Sequence, residues 1–301
     1  MPTALITGTS TGIGEACVAL LAARGWTIYA GVRRERDGER LRAAQTGDVR
    51  PVILDVTNRD HLARVVDELA TAVGDAGLQG LVNNAGVGVG GPSEYLEVDA
   101  WRTVFEANFF GVVSLTRAAM PLLKRGRGRV VHIGSIGGRI ATPGLAPYAA
   151  SKHALEALAE ASRLEFTLAG SPVRVSLIEP GAVATAIWDK GDASVDELEA
   201  RFDGGEGPEY EWLLDEARGF VVEGRRNGIP PSRVADAVEH ALTAPRPKAR
   251  YLVGKDAKLA GHVIARLPDR AREALLLLES RRLQGIGAAF RRDRNSTTTP
   301  S

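Results

Sequence analysis

The chain of 301 residues has a single cysteine, Cys17, so an internal disulfide is impossible and a reducing compartment is the expected setting. Net charge is also nearly absent. Lys and Arg total 38 against 37 Asp and Glu, which leaves +1 at pH 7. Such a balance gives no electrostatic footprint for nucleic acid or an anionic membrane surface. The basic runs, Arg33-Arg34, Arg225-Arg226 and Arg291-Arg292, are only pairs. Long apolar runs are missing. The leucine run Leu275–Leu278 falls far short of the roughly 20 residues a bilayer needs. The opening MPTALITG has no basic segment leading into an apolar stretch, so a cytoplasmic location is expected. No Cys/His/Asp cluster has ligand spacing, so no metal is expected. No fixed-period repeat is visible, and no histidine occurs between His153 and His240.

What the chain does have is alternation. Short apolar runs, TALIT, WTIYAGV, PVILD, GLVNN, RVVHIG and VRVSLIE, are separated by helical patterns at Ile13–Arg24, Asp60–Val73, Ala100–Lys124 and Pro147–Leu168. Strands alternating with helices predict βαβ units and a parallel sheet. Near-continuous apolar strands predict a sheet covered on both faces. The expectation is an α/β fold, one doubly wound sheet in a single domain over residues 1–290, with a disordered tail at 291–301. Residues 189–230 carry many Gly, Pro and charged residues and read as a long irregular insert. A helix over Val234–Leu242, a strand over Tyr251–Val253 and a helix around Ala271–Leu283 follow.

TGTSTGIG, Thr7 to Gly14, follows the first strand and opens the first helix. In that context glycines let the backbone approach a pyrophosphate, and the helix N-terminus supplies N–H donors. An ordinary tight turn is the alternative. Further on come Asn83-Asn84-Ala85-Gly86 at the end of the fourth strand, Asn108 in a long helix, Ser135 after the fifth strand, Tyr148 and Lys152 four apart on a helix, and Pro180-Gly181 after the sixth. Taken singly, each could be a cap, a buried hydrogen bond or an exposed pair.

Their order and the Gly8-x3-Gly12-x-Gly14 spacing together resemble the short-chain dehydrogenase/reductase family, from about Thr3 to Thr185. Gly134, where many members carry serine, and the stretches GRVVHIGSIGGR and YAASKHALEAL are similar to the branch of 17β-hydroxysteroid dehydrogenase type 1 and the retinol dehydrogenases. The resemblance implies a Rossmann-type fold and a catalytic tetrad of Asn108, Ser135, Tyr148 and Lys152. It implies nucleotide contacts from Gly8, Thr9, Ser10, Gly12, Ile13, Gly14, Arg33, Asp55, Val56, Asn84, Tyr148, Lys152, Pro180, Gly181, Val183 and Thr185. Tyr148 would exchange a proton with a substrate oxygen, Ser135 would polarise that oxygen, and Lys152 would hold the nicotinamide ribose. Lys152 and an oxidised nicotinamide would both lower the phenol's pKa from its ordinary value near 10. Asn108 would steady a water in a proton relay.

Family members specific for NAD carry Asp where this chain has Val32, and Arg33 follows. A neutral residue beside an arginine favours a 2′-phosphate, hence NADP(H); Arg33 and Arg34 could equally open a solvated loop. Residues 186–230 would form the substrate lid, with Ile187, Trp188, Phe202, Tyr210, Trp212, Leu213, Leu214 and Phe220 offering an apolar lining. A hydrophobic ketone or secondary alcohol is the expected substrate class, with no steroid implied, since the lid has no histidine. The same features leave two alternatives, a sugar-nucleotide epimerase or dehydratase and a non-enzymatic NADP(H)-sensing regulator. The family also implies a homodimer or homotetramer built on the helices of Asn108 and Tyr148, where Leu155, Leu158 and Ala159 serve either a partner or the sheet.

Overall fold

The computed structural model describes residues 1–203, 205 and 207–297. Seven strands form one parallel sheet: β1 (Thr3–Ile6), β2 (Thr27–Val32), β3 (Val49–Ile53), β4 (Gly80–Asn83), β5 (Arg129–Ile133), β6 (Arg174–Pro180) and β7 (Arg250–Val253). Their order is β3-β2-β1-β4-β5-β6-β7. The chain therefore winds outward from β1 in one direction, then returns and winds outward in the other from β4. This is the doubly wound Rossmann-type sheet expected from the alternating pattern, and its direction reverses between β1 and β4.

The helices are α1 (Gly12–Ala23), α2 (Glu35–Ala43), α3 (Arg59–Val73), α4 (Val98–Phe105), α5 (Gly111–Arg125), α6 (Ala146–Leu168), α7 (Ile187–Asp203), α8 (Trp212–Asn227), α9 (Pro231–Thr243), α10 (Lys255–His262) and α11 (Asp269–Thr297). They cover both faces, as the strands require: all six residues of β2 are buried. On one face Val18 and Leu21 of α1 and Val234 and Val238 of α9 pack on Ile6, Ile28 and Val131. On the other, Val65, Leu69, Leu115, Leu123 and Leu155 pack on Leu5, Leu81 and Val130. Leu155 and Ala159 are fully engaged in this second core and Leu158 packs against it, so these three residues serve the sheet.

Two expectations need correction. The insert at 189–230 is not irregular, because most of it lies in α7 and α8. Val195, Leu198 and Phe202 recur at helical spacing and meet Leu213 and Leu214 in a small core of their own. The abundant charge that disguised this pattern joins the two helices: Arg218 pairs with Glu199, and Arg225 pairs with Asp189 at 2.8 Å and Asp192 at 2.6 Å. The tail expected to be disordered from residue 291 is helical through Thr297. Arg291 ties it to Asp215 of α8 at 2.7 Å, and Gly219 and Gly287 let α8 and α11 meet almost backbone to backbone. Residues 298–301 lie outside the described residues. The solvated loop weighed as the alternative after Arg33 is also not found: α2 starts at Glu35 and anchors Leu41, which is fully buried.

Candidate active site

The functional residues collect at the C-terminal ends of the strands, beside the reversal between β1 and β4. The glycine loop joins β1 to α1. Gly8 and Gly12 have φ of +67° and +66°, which L side chains rarely adopt. Gly14 lies so close to the loop that a methyl group there would stand 2.3 Å from the Gly8 carbonyl oxygen. Thr11 leads into α1 without a side-chain cap, so the first-turn amides face outward uncapped by it. This shallow cradle with its N–H donors fits a pyrophosphate.

Several predicted contact residues hold the cradle in shape. The Asn84 amide donates to the Thr7 and Gly8 carbonyls, both at 2.9 Å. Thr9 is fully buried, and its hydroxyl donates to Gly31 O at 3.0 Å, so its side chain fastens the loop to β2 and only its backbone can meet a ligand. Thr7, which the motif reading did not single out, accepts from the Asn84 and Ala85 amides at 3.0 and 2.9 Å. Its signal was its place beside the first glycine. Gly14→Ala is therefore expected to lower stability by about 2 kcal/mol and to weaken dinucleotide binding about tenfold or more. Thermal melts and a fluorescence titration with NADPH check this; unchanged affinity would show that the packing at Gly14 does not shape the cradle.

Around the adenosine end, Val32 is buried and Arg33 is exposed beyond it. Burial works against a charge on Asp55, yet the Thr57 amide and hydroxyl, Arg33 and His61 together hold its carboxyl below the usual range. Its Oδ1 accepts from both Thr57 groups, at 3.0 and 2.7 Å. Capping of α3 falls to Asn58, which accepts from the Asp60 and His61 amides. Val56 is buried beside Gly111.

At the nicotinamide end, Pro180 closes β6 and the Gly181 amide donates to Val253 O at 3.0 Å. Asp256, unforeseen in the sequence, accepts from the Ala182 amide at 2.8 Å and fixes this turn. Its signal would have been an acidic residue opening a short helix after the last strand. Val183 is buried and bridges Ile229 in parallel. The Thr185 side chain packs over Gly12, so the turn after β6 meets the glycine loop.

The four predicted tetrad residues converge. Ser135 follows β5, where its Oγ accepts from the Gly137 amide at 3.0 Å and lies within hydrogen-bonding reach of the Tyr148 phenol. Tyr148 and Lys152 share one face of α6, with the ammonium 5.7 Å from the centre of the phenol ring. Lys152 is buried and its Nζ donates to Ile133 O at 2.9 Å. Burial lowers its pKa to about 8. Burial raises that of Tyr148 and outweighs the Ser135 bond, which alone would lower it. Burial of the phenol thus opposes the lowering expected from Lys152 and an oxidised nicotinamide.

Asn108 lies in a π-helical turn, Glu106–Phe110, between α4 and α5, rather than in one uninterrupted α-helix. Such bulges recur at functional sites. Its side chain grips Val87 from both sides, accepting from the amide at 2.8 Å and donating to the carbonyl at 2.9 Å, and it also donates to Ser151 at 3.0 Å. Built-in closeness to Gly86 places Asn108 and Lys152 around the same point.

The lid shapes the opposite wall. Trp188, Phe202, Leu213 and Leu214 are buried, and the Trp188 indole donates to Val183 O at 2.8 Å. Half of the expected apolar lining thus holds the lid together. Trp212 and Phe220 are exposed. The Ile187 side chain lies outside the described residues. A pair of reciprocal bonds clasps the lid to the loop after β4: the Tyr95 hydroxyl donates to Glu209 at 2.8 Å and that of Tyr210 to Glu94 at 3.0 Å. Gly88 faces the Tyr148 ring, and Leu213 of the lid packs closely on Gly144.

This geometry agrees with what the chain resembles. Residues 2–195 match the model of the short chain dehydrogenase family. An NADPH-dependent 3-dehydrocapnine reductase of Ornithobacterium rhinotracheale is 32% identical over 285 residues, covering 93% of this chain and 98% of the relative. Mouse retinol dehydrogenase 16 is 32% identical over 285 residues, covering 90% and 86%. Among solved structures, a short chain dehydrogenase/reductase from Burkholderia phymatum in complex with NAD has a TM-score of 0.74 at 28% identity, covering 91% and 95%. A short chain dehydrogenase from Burkholderia cenocepacia J2315 in complex with NADP has a TM-score of 0.67 at 27% identity, covering 92% and 97%. The chain belongs to the short-chain dehydrogenase family and is an NAD(P)-dependent oxidoreductase.

Proposed function

We propose that the protein is an NADPH-preferring carbonyl reductase that interconverts a hydrophobic ketone and its secondary alcohol, with Tyr148 as general acid and base. The observation that carries this reading is the convergence of Tyr148, Ser135 and Lys152 beyond the C-terminal end of β5. NADPH, when bound, supplies the hydride. Ser135 and Tyr148 hold the substrate oxygen between them, and Tyr148 passes it a proton as the carbon is reduced. Lys152 stands one turn behind Tyr148, where its charge can hold ribose hydroxyls and stabilise a phenolate. Asn108 fixes Val87 and with it the wall of the site, and a water held near its carbonyl and Lys152 would complete the proton relay. The apolar and aromatic side chains of the lid, Leu213 packed on Gly144 and the exposed Phe220 among them, suit an apolar substrate.

Preference for NADP(H) is supported by Val32 and the exposed Arg33, and by the NADPH dependence of the bacterial reductase relative. The NAD complex of a structural neighbour makes this a question of this chain's own side chains. Exposed Phe110 on the π turn and Leu164 and Leu168 on α6 support self-association through those helices. Among the described residues no helix is long and apolar enough to cross a membrane.

The test is consumption of NADPH by the purified protein against a panel of hydrophobic ketones, with NADH in parallel. Turnover with NADPH and little with NADH is expected. Binding of NADPH without turnover of any ketone would favour the sensing regulator instead.

A further inference from the structure

Arg40 has no place in the motifs, yet it reaches the nucleotide cradle from α2. One of its terminal nitrogens donates to the Ser10 carbonyl. The other lies 2.7 Å from Glu15 Oε1, in the first turn of α1. A single guanidinium therefore ties α2 to the glycine loop and to α1. The loop runs beside the end of β2 at this point, because the Thr9 amide donates to Gly31 O at 3.0 Å. Arg33 leaves β2 two residues after Gly31, and its charge is felt by Asp55 on the far side. Arg40 thus stands just outside Ser10, and Arg33 leaves the end of the strand to which the loop is fastened.

We propose that Arg40 is a second anchor for the 2′-phosphate of NADP(H), acting with Arg33, and that Glu15 is the counter-charge it keeps until that phosphate arrives. The inference rests on the NADP(H) preference proposed above. Its chemistry follows from the partners. Arg40 and Glu15 side chains are 49% and 30% exposed, and an ion pair that open to water holds its partners weakly. A phosphate near neutral pH carries more charge than one carboxylate and offers three acceptor oxygens to the guanidinium fork. The arginine can exchange its carboxylate for the phosphate with a small side-chain rotation, while its α2 backbone stays in place.

Adenosine 2′,5′-bisphosphate and adenosine 5′-monophosphate differ only in the 2′-phosphate, so calorimetric titration with both tests the idea without any substrate. Arg40→Ala is expected to weaken the bisphosphate about tenfold and to leave the monophosphate within about twofold. The salt dependence of bisphosphate binding should also become shallower, since one cation fewer meets the phosphate. Removing Arg40 also unmasks the Glu15 charge, so the double variant Arg40→Ala with Glu15→Gln separates the two effects. It is expected to stay at least about fivefold weaker than the wild type toward the bisphosphate. Recovery of full affinity in the double variant would overturn the proposal, since Arg40 would then only screen Glu15. Equal weakening of both nucleotides would also overturn it, by showing that Arg40 merely shapes the loop. A wild type that does not prefer the bisphosphate defeats the NADP(H) reading itself. A preference that survives Arg40→Ala intact spares that reading and defeats this inference.

Discussion

Replacing Tyr148 by Phe is expected to cut reductive turnover by about a hundred- to ten-thousand-fold, with NADPH affinity within roughly twofold of wild type. The ring keeps its packing, because Gly137 and Gly88 contact ring carbons rather than the hydroxyl. What is lost is a proton donor beside Ser135. The direction of the pKa shifts sharpens this expectation. Burial raises the Tyr148 phenol, so it stays protonated through the neutral range and is ready to donate. Lys152 is lowered to about 8 by burial, so its charge fades as the pH passes that value. Reductive kcat/KM is therefore expected to be flat from about pH 6 and to fall above about pH 8, while alcohol oxidation, which needs a base, rises with pH. Steady-state rates across pH for both proteins check this. Wild-type rates in the Phe variant would remove Tyr148 from the chemistry. A reductive profile that climbs through pH 8 would contradict the protonation states derived from burial.

The sheet was legible because each strand is short, apolar and followed by a helical period. Buried on both faces, β2 and β6 could only read as continuous hydrophobic runs. The tetrad residues were legible through order and spacing, and the structure brings Ser135, Tyr148 and Lys152 together. Asn108 was found by motif, but not its π turn, because one extra residue in a helix leaves no compositional trace. The lid helices were missed for a different reason. Glu199, Arg218, Asp189 and Arg225 pair with one another across α7 and α8, and such pairs read in sequence as a solvated, irregular segment. The helical tail past residue 290 was missed because it depends on Gly219 and Gly287, far apart in sequence, meeting at one helix crossing. The upward push of burial on the phenol was not legible, because desolvation depends on how closely the chain packs around the hydroxyl, which residue identities do not express.

Unfolding free energy is expected to fall by about 1 kcal/mol between pH 6.5 and pH 8, and Glu179→Gln to remove that fall. Glu179 is fully buried on β6, one residue before Pro180-Gly181. Arg139 donates from one nitrogen to both of its oxygens, at 3.1 and 2.9 Å, and Arg250 stands 3.5 Å away. Arg250 also binds Glu156 of α6 at 2.7 Å. The network joins the Ser135 loop, the turn after β6 and the helix of Tyr148 and Lys152. Burial and the neighbouring Glu156 carboxyl push the Glu179 pKa up to about 8, against the pull of Arg139. The sign follows from proton counts. Between its ordinary value of 4.5 and about 8, Glu179 holds more proton in the folded chain than in the unfolded one, so stability is lost as pH rises. His132 acts in reverse below pH 6.5. Burial holds its pKa near 3, the unfolded chain binds the extra proton, and stability rises with pH there. The two opposing slopes offset each other up to about pH 6.5, and above it the histidine's contribution fades over about one pH unit while that of the carboxyl continues. Lys152, depressed to about 8, adds stability only as pH climbs toward its ordinary 10.5. Urea unfolding at pH 6.5 and 8 measures the difference directly. Glutamine can still accept from Arg139 but cannot titrate, so the variant should lose no stability between the two values. An undiminished slope in Glu179→Gln would mean that the proton is carried elsewhere and that the Arg139–Glu179 pair is ionised throughout.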